Sequence, residues 1–408
     1  MSARATLPLA IALAITGCGR CGSPPTSALT PDKANETTSP GPAARKPARP
    51  TIIDVHTHVG PDAYDMALRL ADEHGVARFV NLSGGHQGRA EGLKPHLDAM
   101  KAARGRVAVF YNVDWSRFDE EGFGQSIADG LADAVAQGYA GLKISKALGL
   151  GVTDREGAFV AVDDPRLDPI WARAGALGVP VSIHTGDPRA FFEPLTPENE
   201  RFEELSEAPD WSFADPRFPR REVLLAQRAR VLSRHPSTTF ILVHFGNNPE
   251  DIEAIDRLLD DHPNAVLDVA ARLGEIGRHD PARVRRFFIK HQRRVLFGSD
   301  FGVHARSRDG QRRYSLFLGS VSKETPTLES AALFFERHWR FFEGDPATHP
   351  EIPHPIPIQG RWPIHPIDLP PEVLRAVYGE NALRIIFKPL HLRLGIEDPA
   401  SAPLEVTP

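Results

Sequence analysis

The fold of this chain is decided by the stretch Thr51-Ile52-Ile53-Asp54-Val55-His56-Thr57-His58. It opens with a short β-branched run of the kind that forms a buried strand. The two histidines at its end are spaced i and i+2, so on an extended backbone both side chains lie on one face, as binding of a single ion requires. We therefore predict a strand that delivers a pair of metal ligands.

Seven more short apolar runs follow, separated by longer segments with helical spacing. The predicted strands are Thr51–Val55, Ala77–Leu82, Val107–Asn112, Ala140–Ile144, Pro180–Ile183, Phe240–Val243, Ala265–Val269 and Val295–Phe297. The predicted helices include Ala63–His74, Gly122–Gln137, Pro165–Leu177, Arg221–His235, Pro249–Asp261, Pro281–His291 and Pro371–Phe387. The span from Thr51 to Asp300 matches the roughly 250 residues of a (β/α)8 barrel. The sequence thus predicts an α/β fold, a (β/α)8 TIM barrel within residues 51–390.

Two of the predicted connections are much longer than the loops that usually join a strand to the next helix. One, from Thr185 to about Pro219, follows strand five and is rich in aromatic residues. The other, from Phe301 to about Pro370, follows strand eight and contains a predicted helix at Ser330–Phe342. Connections that follow strands lie on the C-terminal face of a barrel, where active sites are found. We expect both long loops to form lids or pocket walls.

Charge and cysteine content narrow the functional class. The chain has 408 residues, with 48 Lys plus Arg against 53 Asp plus Glu, and its net charge of -5 gives no overall attraction for nucleic acid. We expect a small-molecule substrate and no nucleic-acid partner. Both cysteines, Cys18 and Cys21, lie near the N-terminus, so the barrel must fold without a disulfide.

The N-terminal residues have the features of an export signal. Arg4 precedes the apolar run Leu7–Ile15, which is too short to span a membrane. The next residues, through Thr16-Gly17-Cys18, resemble the bacterial lipobox, in which lipid is attached to the cysteine after cleavage; the alternative is an ordinary Sec cleavage region. The Pro-, Ser-, Thr- and Ala-rich composition from Gly22 to Pro50 is typical of a disordered tether.

These features divide the chain into four parts. We expect a signal peptide at 1–17, a tether at 18–50, the barrel at 51–390 and a tail at 391–408. The mature protein is expected to be an exported lipoprotein, anchored through Cys18 to a bacterial envelope membrane on its periplasmic side or at the surface. The oligomeric state stays open, with a dimer as one option.

Polar residues recur directly after the predicted strands. His184 follows strand five, His244 follows strand six and Asp300 follows strand eight, in addition to His56 and His58 after strand one. In a barrel such residues point into the mouth, and packing does not demand imidazoles and a carboxylate there. We expect one divalent metal ion, with Zn²⁺ as first choice and Mn²⁺, Fe²⁺ or Co²⁺ as alternatives.

The chain resembles the amidohydrolase superfamily, in particular its amidohydrolase-related (amidohydrolase 2) division of metal-dependent TIM-barrel hydrolases. The resemblance rests on a D-x-H-x-H motif at Asp54–His58, on the strand-end His184 and His244, and on Gly298-Ser299-Asp300, and it extends from Thr51 to Phe387. The metal ligands that it implies are His56, His58, His184 and Asp300.

The resemblance also implies a chemistry. A metal in such a site lowers the pKa of water toward 7. Asp300 is expected to accept the proton of that water and return it to the leaving group, while His244 stabilises developing charge, orients the nucleophile or ligates a second ion. This scheme suits hydrolysis of an amide, lactone or ester. A non-oxidative decarboxylase with the same ligands is the alternative, and a non-catalytic binding lipoprotein is a remote third, since it would be expected to lack ligands.

Four further residues are candidates for contact with substrate. Lys143 follows strand four and has three readings: a carbamylated lysine bridging two metals, a cationic substrate contact, or a packing residue. Arg272 follows strand seven, and its fork matches a substrate carboxylate, against the alternative of a surface arginine. Asn112 and His304 are expected at the pocket rim.

Overall fold

The computed structural model describes residues 49–88, 92–308, 311–354 and 359–396. The predicted signal peptide, the expected lipid site at Cys18 and the tether up to Ala48 lie outside these residues, as does the tail beyond Ile396. From Arg49 onward, the described residues belong to one compact unit.

Eight parallel strands curl into a barrel, which confirms the predicted fold class. They are β1 (Ile52–Val59), β2 (Val76–Asn81), β3 (Val107–Asn112), β4 (Gly141–Ile144), β5 (Val181–Ile183), β6 (Phe240–Leu242), β7 (Ala265–Asp268) and β8 (Val295–Leu296). The barrel closes where the Val55 amide donates to the Phe297 carbonyl at 3.0 Å and the Asp300 amide donates to the His56 carbonyl at 2.9 Å. Closure therefore brings together the two strand ends that carry the first and last predicted ligands.

The long connection predicted after β8 begins with a hairpin that the sequence analysis did not predict. β9 (Phe301–Arg308) continues in parallel alongside β1, and β10 (Gln311–Leu318) returns antiparallel to β9. β9 was missed because it mixes small, polar and basic residues and has no apolar run. The signal that the sequence does offer is Asp309-Gly310 between the two strands, a dipeptide favoured in two-residue hairpin turns.

The eight longer helices between and after the strands occupy the positions expected for a barrel. They are Tyr64–Glu73, Lys94–Ala102, Phe123–Gln137, Asp168–Ala176, Arg221–Arg234, Ile252–Asp261, Pro281–Lys290 and Leu328–Glu343. The long connection after β5 contains the short helical segments Arg189–Phe192, Phe202–Glu207 and Pro209–Trp211, and Leu273–Gly277 follows β7. None of the helices within the described residues has the length and apolar character needed to cross a bilayer.

The C-terminal helix is longer than predicted. Its consecutive segments are Pro371–Arg375, Ala376–Glu380, Leu383–Phe387 and Lys388–Leu394, of which the second and third are π-helical. The sequence predicts that the helix ends at Phe387, because the proline at position 389 would normally interrupt a helix. Here Pro389 occupies the first turn of the last segment, directly after a π segment, where its missing N–H removes no required bond.

This helix closes the barrel at the end opposite the mouth. The apolar side chains that fill the barrel interior are Ile53, Val55, Val80, Leu82, Ala108, Phe110, Ala140, Ile241, Val266 and Leu296. Ala382, Ile386, Phe387 and Leu390 of the helix pack into the same cluster. Near the end of the helix, His391 lies 3.3 Å from the carbonyl of Gly105, just before β3. The helix therefore seals the starts of the strands and leaves their ends to form the site.

A buried histidine in this fold makes its stability depend on pH. His338, in the helix Leu328–Glu343, donates from Nδ1 to the Phe334 carbonyl at 2.7 Å, and burial lowers the pKa of His338 to about 4. The unfolded chain, with an ordinary histidine pKa near 6.5, binds more protons between these two values, so stability falls as the pH drops through that window. We expect protonation of His338 to lower the free energy of unfolding by up to about 3 kcal/mol as the pH falls from 6.5 to 4.

Urea denaturation at pH 7 and pH 4.5 measures this effect. His338→Leu removes the titrating group and should lose less stability between the two pH values than the unchanged protein. Equal losses in both proteins would contradict the assignment to His338.

Candidate active site

β1 delivers two histidines to the mouth because its pairing is irregular. The register between β1 and β2 shifts between Asp54 and Thr57, so the alternation of side chains is broken there. Val55 points into the barrel interior, while His56 and His58 both reach the carboxylate of Asp300: their Nε2 atoms lie 3.4 and 3.3 Å from its Oδ1. The structure thus brings together three of the four predicted ligands.

Asp300 lies in a bend of the chain directly after β8, and the two residues before it, Gly298 and Ser299, stabilise that bend. Its backbone is left-handed, with φ 67°. A Cβ on Gly298 would lie 3.0 Å from the Cβ of His56, so a side chain there would crowd the ligand. The backbone and hydroxyl of Ser299 both donate to the carboxylate of Asp54. The acidic residue of the D-x-H-x-H motif therefore holds the bend in place and does not itself enter the mouth.

The electrostatics keep Asp300 ionised. Burial would raise the pKa of Asp300, but His56, His58 and Lys143 outweigh burial and hold the pKa below its usual range. An ionised carboxylate is the form of this side chain that binds a metal.

A buried aspartate orients His56. Asp268, at the end of β7, accepts at Oδ2 from His56 Nδ1 at 2.8 Å, so the imidazole proton is on Nδ1 and the lone pair is on Nε2. Burial raises the pKa of Asp268 to about 6 and lowers the pKa of His56 well below its usual value. His56 Nε2 is buried and has no hydrogen-bond partner among the described residues. An aimed, buried lone pair without a partner is what a metal ligand looks like before it binds.

His244 sits beside these ligands on a strained backbone. It follows β6 with φ 56° and ψ 47°, a left-handed conformation that costs about 1–2 kcal/mol for a residue other than glycine. Its amide donates to Asp268 Oδ1 at 2.8 Å, and its Nδ1 donates to the Ala270 carbonyl at 2.8 Å. Its ring centre lies 4.7 Å from that of His56. Burial lowers the pKa of His244 well below its usual value, so the ring is neutral with its lone pair on Nε2.

The fourth predicted ligand, His184, is near the site but faces a different partner. Its ring centre lies 4.5 Å from that of His244, whereas its Nε2 lies 3.3 Å from Asp187 Oδ1. Burial lowers the pKa of His184 to about 4. His184 does not belong to the cluster of ligand atoms that His56, His58 and Asp300 form within 4.8 Å of one another. For His184 to bind the same ion, its hydrogen bond to Asp187 would have to break.

Asp187 also holds two cations at the mouth. Lys146 Nζ lies 2.6 Å from Asp187 Oδ2, and Arg272 Nη2 lies 3.4 Å from Asp187 Oδ1. Burial would raise the pKa of Asp187, but Lys146, His184 and Arg272 outweigh it and hold the pKa well below its usual range. The ammonium of Lys146 also lies 5.0 Å from the ring centre of Trp211. This cation–π contact links the long connection after β5 to the end of β4.

Lys143 and Arg272 are both buried cations near the ends of their strands. Lys143 is 6% exposed, its Nζ has no hydrogen-bond partner in the described part of the chain, and burial lowers its pKa to about 8. Arg272 is buried rather than exposed on a surface loop, and it shares its charge with Asp187. Two cations near the carboxylates leave the mouth receptive to an anionic group.

The two residues expected at the rim have different surroundings. The Asn112 side chain accepts from the Gly85 amide at 2.8 Å and donates to the Leu82 carbonyl at 2.9 Å, so its amide fixes the loop after β2. His304 is exposed on β9, and its Nδ1 lies close to Gly60 at the end of β1.

Sequence reasoning missed three residues that build this site. Asp268 and Asp187 hold histidines, and Ser83 Oγ lies 2.7 Å from Nδ1 of His58. A signal existed for Asp268, which is the one acidic residue in the apolar run Ala265–Ala271. Asp187 and Ser83 lie in loops, where no periodic pattern marks them.

The donor set fits a divalent metal. One nitrogen each from His56 and His58 and one oxygen from Asp300 all lie within 4.8 Å of one another, and a similar group is formed by His56, His244 and Asp268. Two imidazoles and a carboxylate are ligands for Zn²⁺, Mn²⁺, Fe²⁺ or Co²⁺.

Comparison with known proteins agrees with this geometry. A model of the amidohydrolase family matches residues 53–388. The chain belongs to the amidohydrolase family. The resemblance drawn from the D-x-H-x-H motif is thereby confirmed, and membership indicates a metal-dependent enzyme of the amidohydrolase superfamily. No curated protein matches the chain.

Several solved structures are similar to this chain at low identity. An amidohydrolase from Burkholderia multivorans with bound HEPES is 14% identical, with 82% of this chain and 98% of that chain covered and a TM-score of 0.43. A 5-carboxyvanillate decarboxylase from Sphingomonas paucimobilis is 13% identical, with 82% and 98% covered and a TM-score of 0.44. A 5-carboxyvanillate decarboxylase from Novosphingobium aromaticivorans with bound manganese is 12% identical, with 83% and 97% covered and a TM-score of 0.43. The family assignment rests on the family model.

Removing a ligand or its orienting carboxylate should weaken metal binding to different degrees. We expect His56→Ala and His58→Ala to lose the metal on purification. Asp268→Asn keeps the ligands but loosens His56, and we expect its affinity for Zn²⁺ to fall about 10- to 100-fold. Elemental analysis of the purified proteins and calorimetric titration of the metal-free forms with Zn²⁺ measure both effects.

His349→Ala is the matched control, because His349 is exposed and remote in sequence from every strand end. It should bind metal as the unchanged protein does. If the unchanged protein, stripped of metal, takes up no added Zn²⁺ or Mn²⁺, the proposed site is wrong.

Proposed function

We propose that this enzyme is a hydrolase that uses metal-activated water to cleave a C–N or C–O bond, in an amide, lactone or ester, of a small carboxylate-bearing molecule. The observation that carries the proposal is the arrangement around Asp300: an ionised carboxylate that lies 3.4 Å from His56 Nε2 and 3.3 Å from His58 Nε2, where the buried His56 Nε2 has no hydrogen-bond partner among the described residues.

The residues divide the work of hydrolysis between them. A divalent metal held by His56, His58 and Asp300 supplies a Lewis acid that makes water acidic and polarises a carbonyl. Asp300 is the group positioned to take the proton from the attacking water and return it to the leaving oxygen or nitrogen. His244 offers a neutral lone pair at Nε2, because its Nδ1 is committed to Ala270, so it can accept a hydrogen bond from the nucleophile and orient it. This supports orientation of the nucleophile over stabilisation of an oxyanion by His244.

The charges at the mouth support a substrate with a carboxylate. Lys143 has a buried ammonium without a hydrogen-bond partner in the described structure, and the guanidinium of Arg272 lies 3.4 Å from Asp187 Oδ1. The fork of Arg272 can bind a carboxylate through two parallel bonds. Because the buried ammonium of Lys143 has no hydrogen-bond partner among the described residues, we favour a substrate contact there over a bridge between two metals. We propose a single Zn²⁺ ion, with Mn²⁺ as the first alternative.

A substrate panel tests the proposal. We expect the purified, Zn²⁺-loaded protein to open one or more carboxylate-bearing lactones or amides. Asp300→Asn should lower kcat by about 100-fold or more, because the proton acceptor is lost. Chromatography of the products measures cleavage, and aromatic carboxylates in the same panel are scored for release of CO₂.

Arg272→Lys is the companion variant, since it keeps the charge but removes the fork. It should raise KM for carboxylate-bearing substrates and leave the uncharged analogues unaffected. Release of CO₂ without bond cleavage would overturn hydrolysis in favour of the decarboxylase, and retention of full activity in Asp300→Asn would overturn the role given to Asp300.

We also propose that the protein is exported and anchored by lipid at Cys18, on the strength of the lipobox-like sequence that ends there. In a bacterial host, the unchanged protein should sediment with membranes and incorporate labelled palmitate. Cys18→Ala should abolish labelling and release the protein to the soluble fraction, whereas Cys21→Ala should change neither. Labelling that survives Cys18→Ala would contradict the assignment.

A further inference from the structure

A left-handed turn follows β6, and it places His244. The φ angles are 56° at His244, 54° at Phe245, 62° at Gly246 and 53° at Asn247. Three of these four residues have a Cβ, so the conformation persists only where the surroundings hold it. Phe245 packs behind the turn, with its ring centre 5.1 Å from that of Phe287, while His244 faces the mouth.

Neighbouring strand ends hold one side of the turn. The side chain of Asn247 accepts from the Thr185 amide at 3.3 Å and donates to the Gly186 carbonyl at 3.0 Å. The amide of Asn247 donates to the His244 carbonyl at 3.0 Å, which closes the turn. These bonds fix the end of the turn but leave the carbonyl of Gly246 to another partner.

That partner comes from the helix Arg221–Arg234. Arg228 is 2% exposed, and its Nη1 donates to the Gly246 carbonyl at 2.6 Å. Within the described part of the chain, no ion pair joins Arg228 to a carboxylate, and the charged group that acts on it is another cation, Arg221. A buried guanidinium without a carboxylate is uncommon, so the backbone oxygen of the turn is what compensates its charge. Arg221, two turns earlier, donates to the Asn247 carbonyl at 2.7 Å.

We propose that Arg228 is a positioning residue for His244. Arg228 donates to the Gly246 carbonyl, which points toward Arg228 only in the left-handed turn. By holding the turn in this conformation, Arg228 keeps His244 Nδ1 bonded to the Ala270 carbonyl and His244 Nε2 directed into the mouth. When this bond is lost, the turn relaxes and the ring leaves its place. The inference rests on the proposed role of His244, but it concerns the ring itself and is tested without a substrate.

Nuclear magnetic resonance of histidine-labelled, metal-free protein tests it. The Nδ1–H proton of His244 is buried in a hydrogen bond and should give a slowly exchanging resonance, assigned by its absence in His244→Gln. In Arg228→Met we expect this resonance to be lost and the amide of Asn247 to exchange about tenfold faster. Arg228→Lys, which keeps a cationic donor, should retain part of the signal.

The control is Arg230→Met on the same helix, since the Arg230 side chain is 56% exposed and pairs with Asp163. It should leave the His244 resonance unchanged. If Arg228→Met does not fold, Arg228→Gln replaces it, because the shorter amide falls short of the Gly246 carbonyl. An unchanged His244 resonance in a folded Arg228 variant overturns the proposal. Failure of every substrate in the panel overturns the proposed function and leaves this result standing.

Discussion

The buried carboxylate of Asp268 is the point on which the site depends. One of its oxygens accepts from His56 on β1, and the other accepts from the backbone of His244 after β6 and of Ala270. A single side chain thus sets the tautomer of one imidazole and the backbone direction of another. Because Asp268 is fully buried, water does not compete for these hydrogen bonds. If one of them were lost, part of the buried negative charge of the carboxylate would have no hydrogen-bond donor.

The strain in this site is balanced by contacts from several strands. His244 and Asp300 both have left-handed backbones, and each is held by groups that belong to neighbouring strand ends. Asp54 fastens the bend before Asp300 through Ser299, and Asp268 fastens the start of the turn at His244. Preorganisation of this kind places the charges before a substrate arrives, which is where enzymes gain most of their electrostatic advantage.

The sequence was sufficient for the barrel and for part of the site. Parallel buried strands are marked by apolar runs, so all eight were predicted to within a few residues, and the polar residues at their ends identified His56, His58 and Asp300. The hairpin was missed because β9 and β10 extend beyond the buried barrel, where no apolar pattern is required. The bond between His184 and Asp187 could not be predicted, since it depends on how a loop folds back onto the end of its own strand.

The C-terminal helix has a consequence for how the chain reaches this structure. The helix residues Ala382, Ile386, Phe387 and Leu390 bury the apolar side chains of the barrel interior, and the first strand pairs with residues that follow β8. The two ends of the domain must therefore meet before either is stable, which makes contacts between distant parts of the chain decisive and folding slow. A growing chain that lacks its last helix would therefore leave these apolar side chains exposed to water, and the barrel could be completed only after synthesis had passed Leu390.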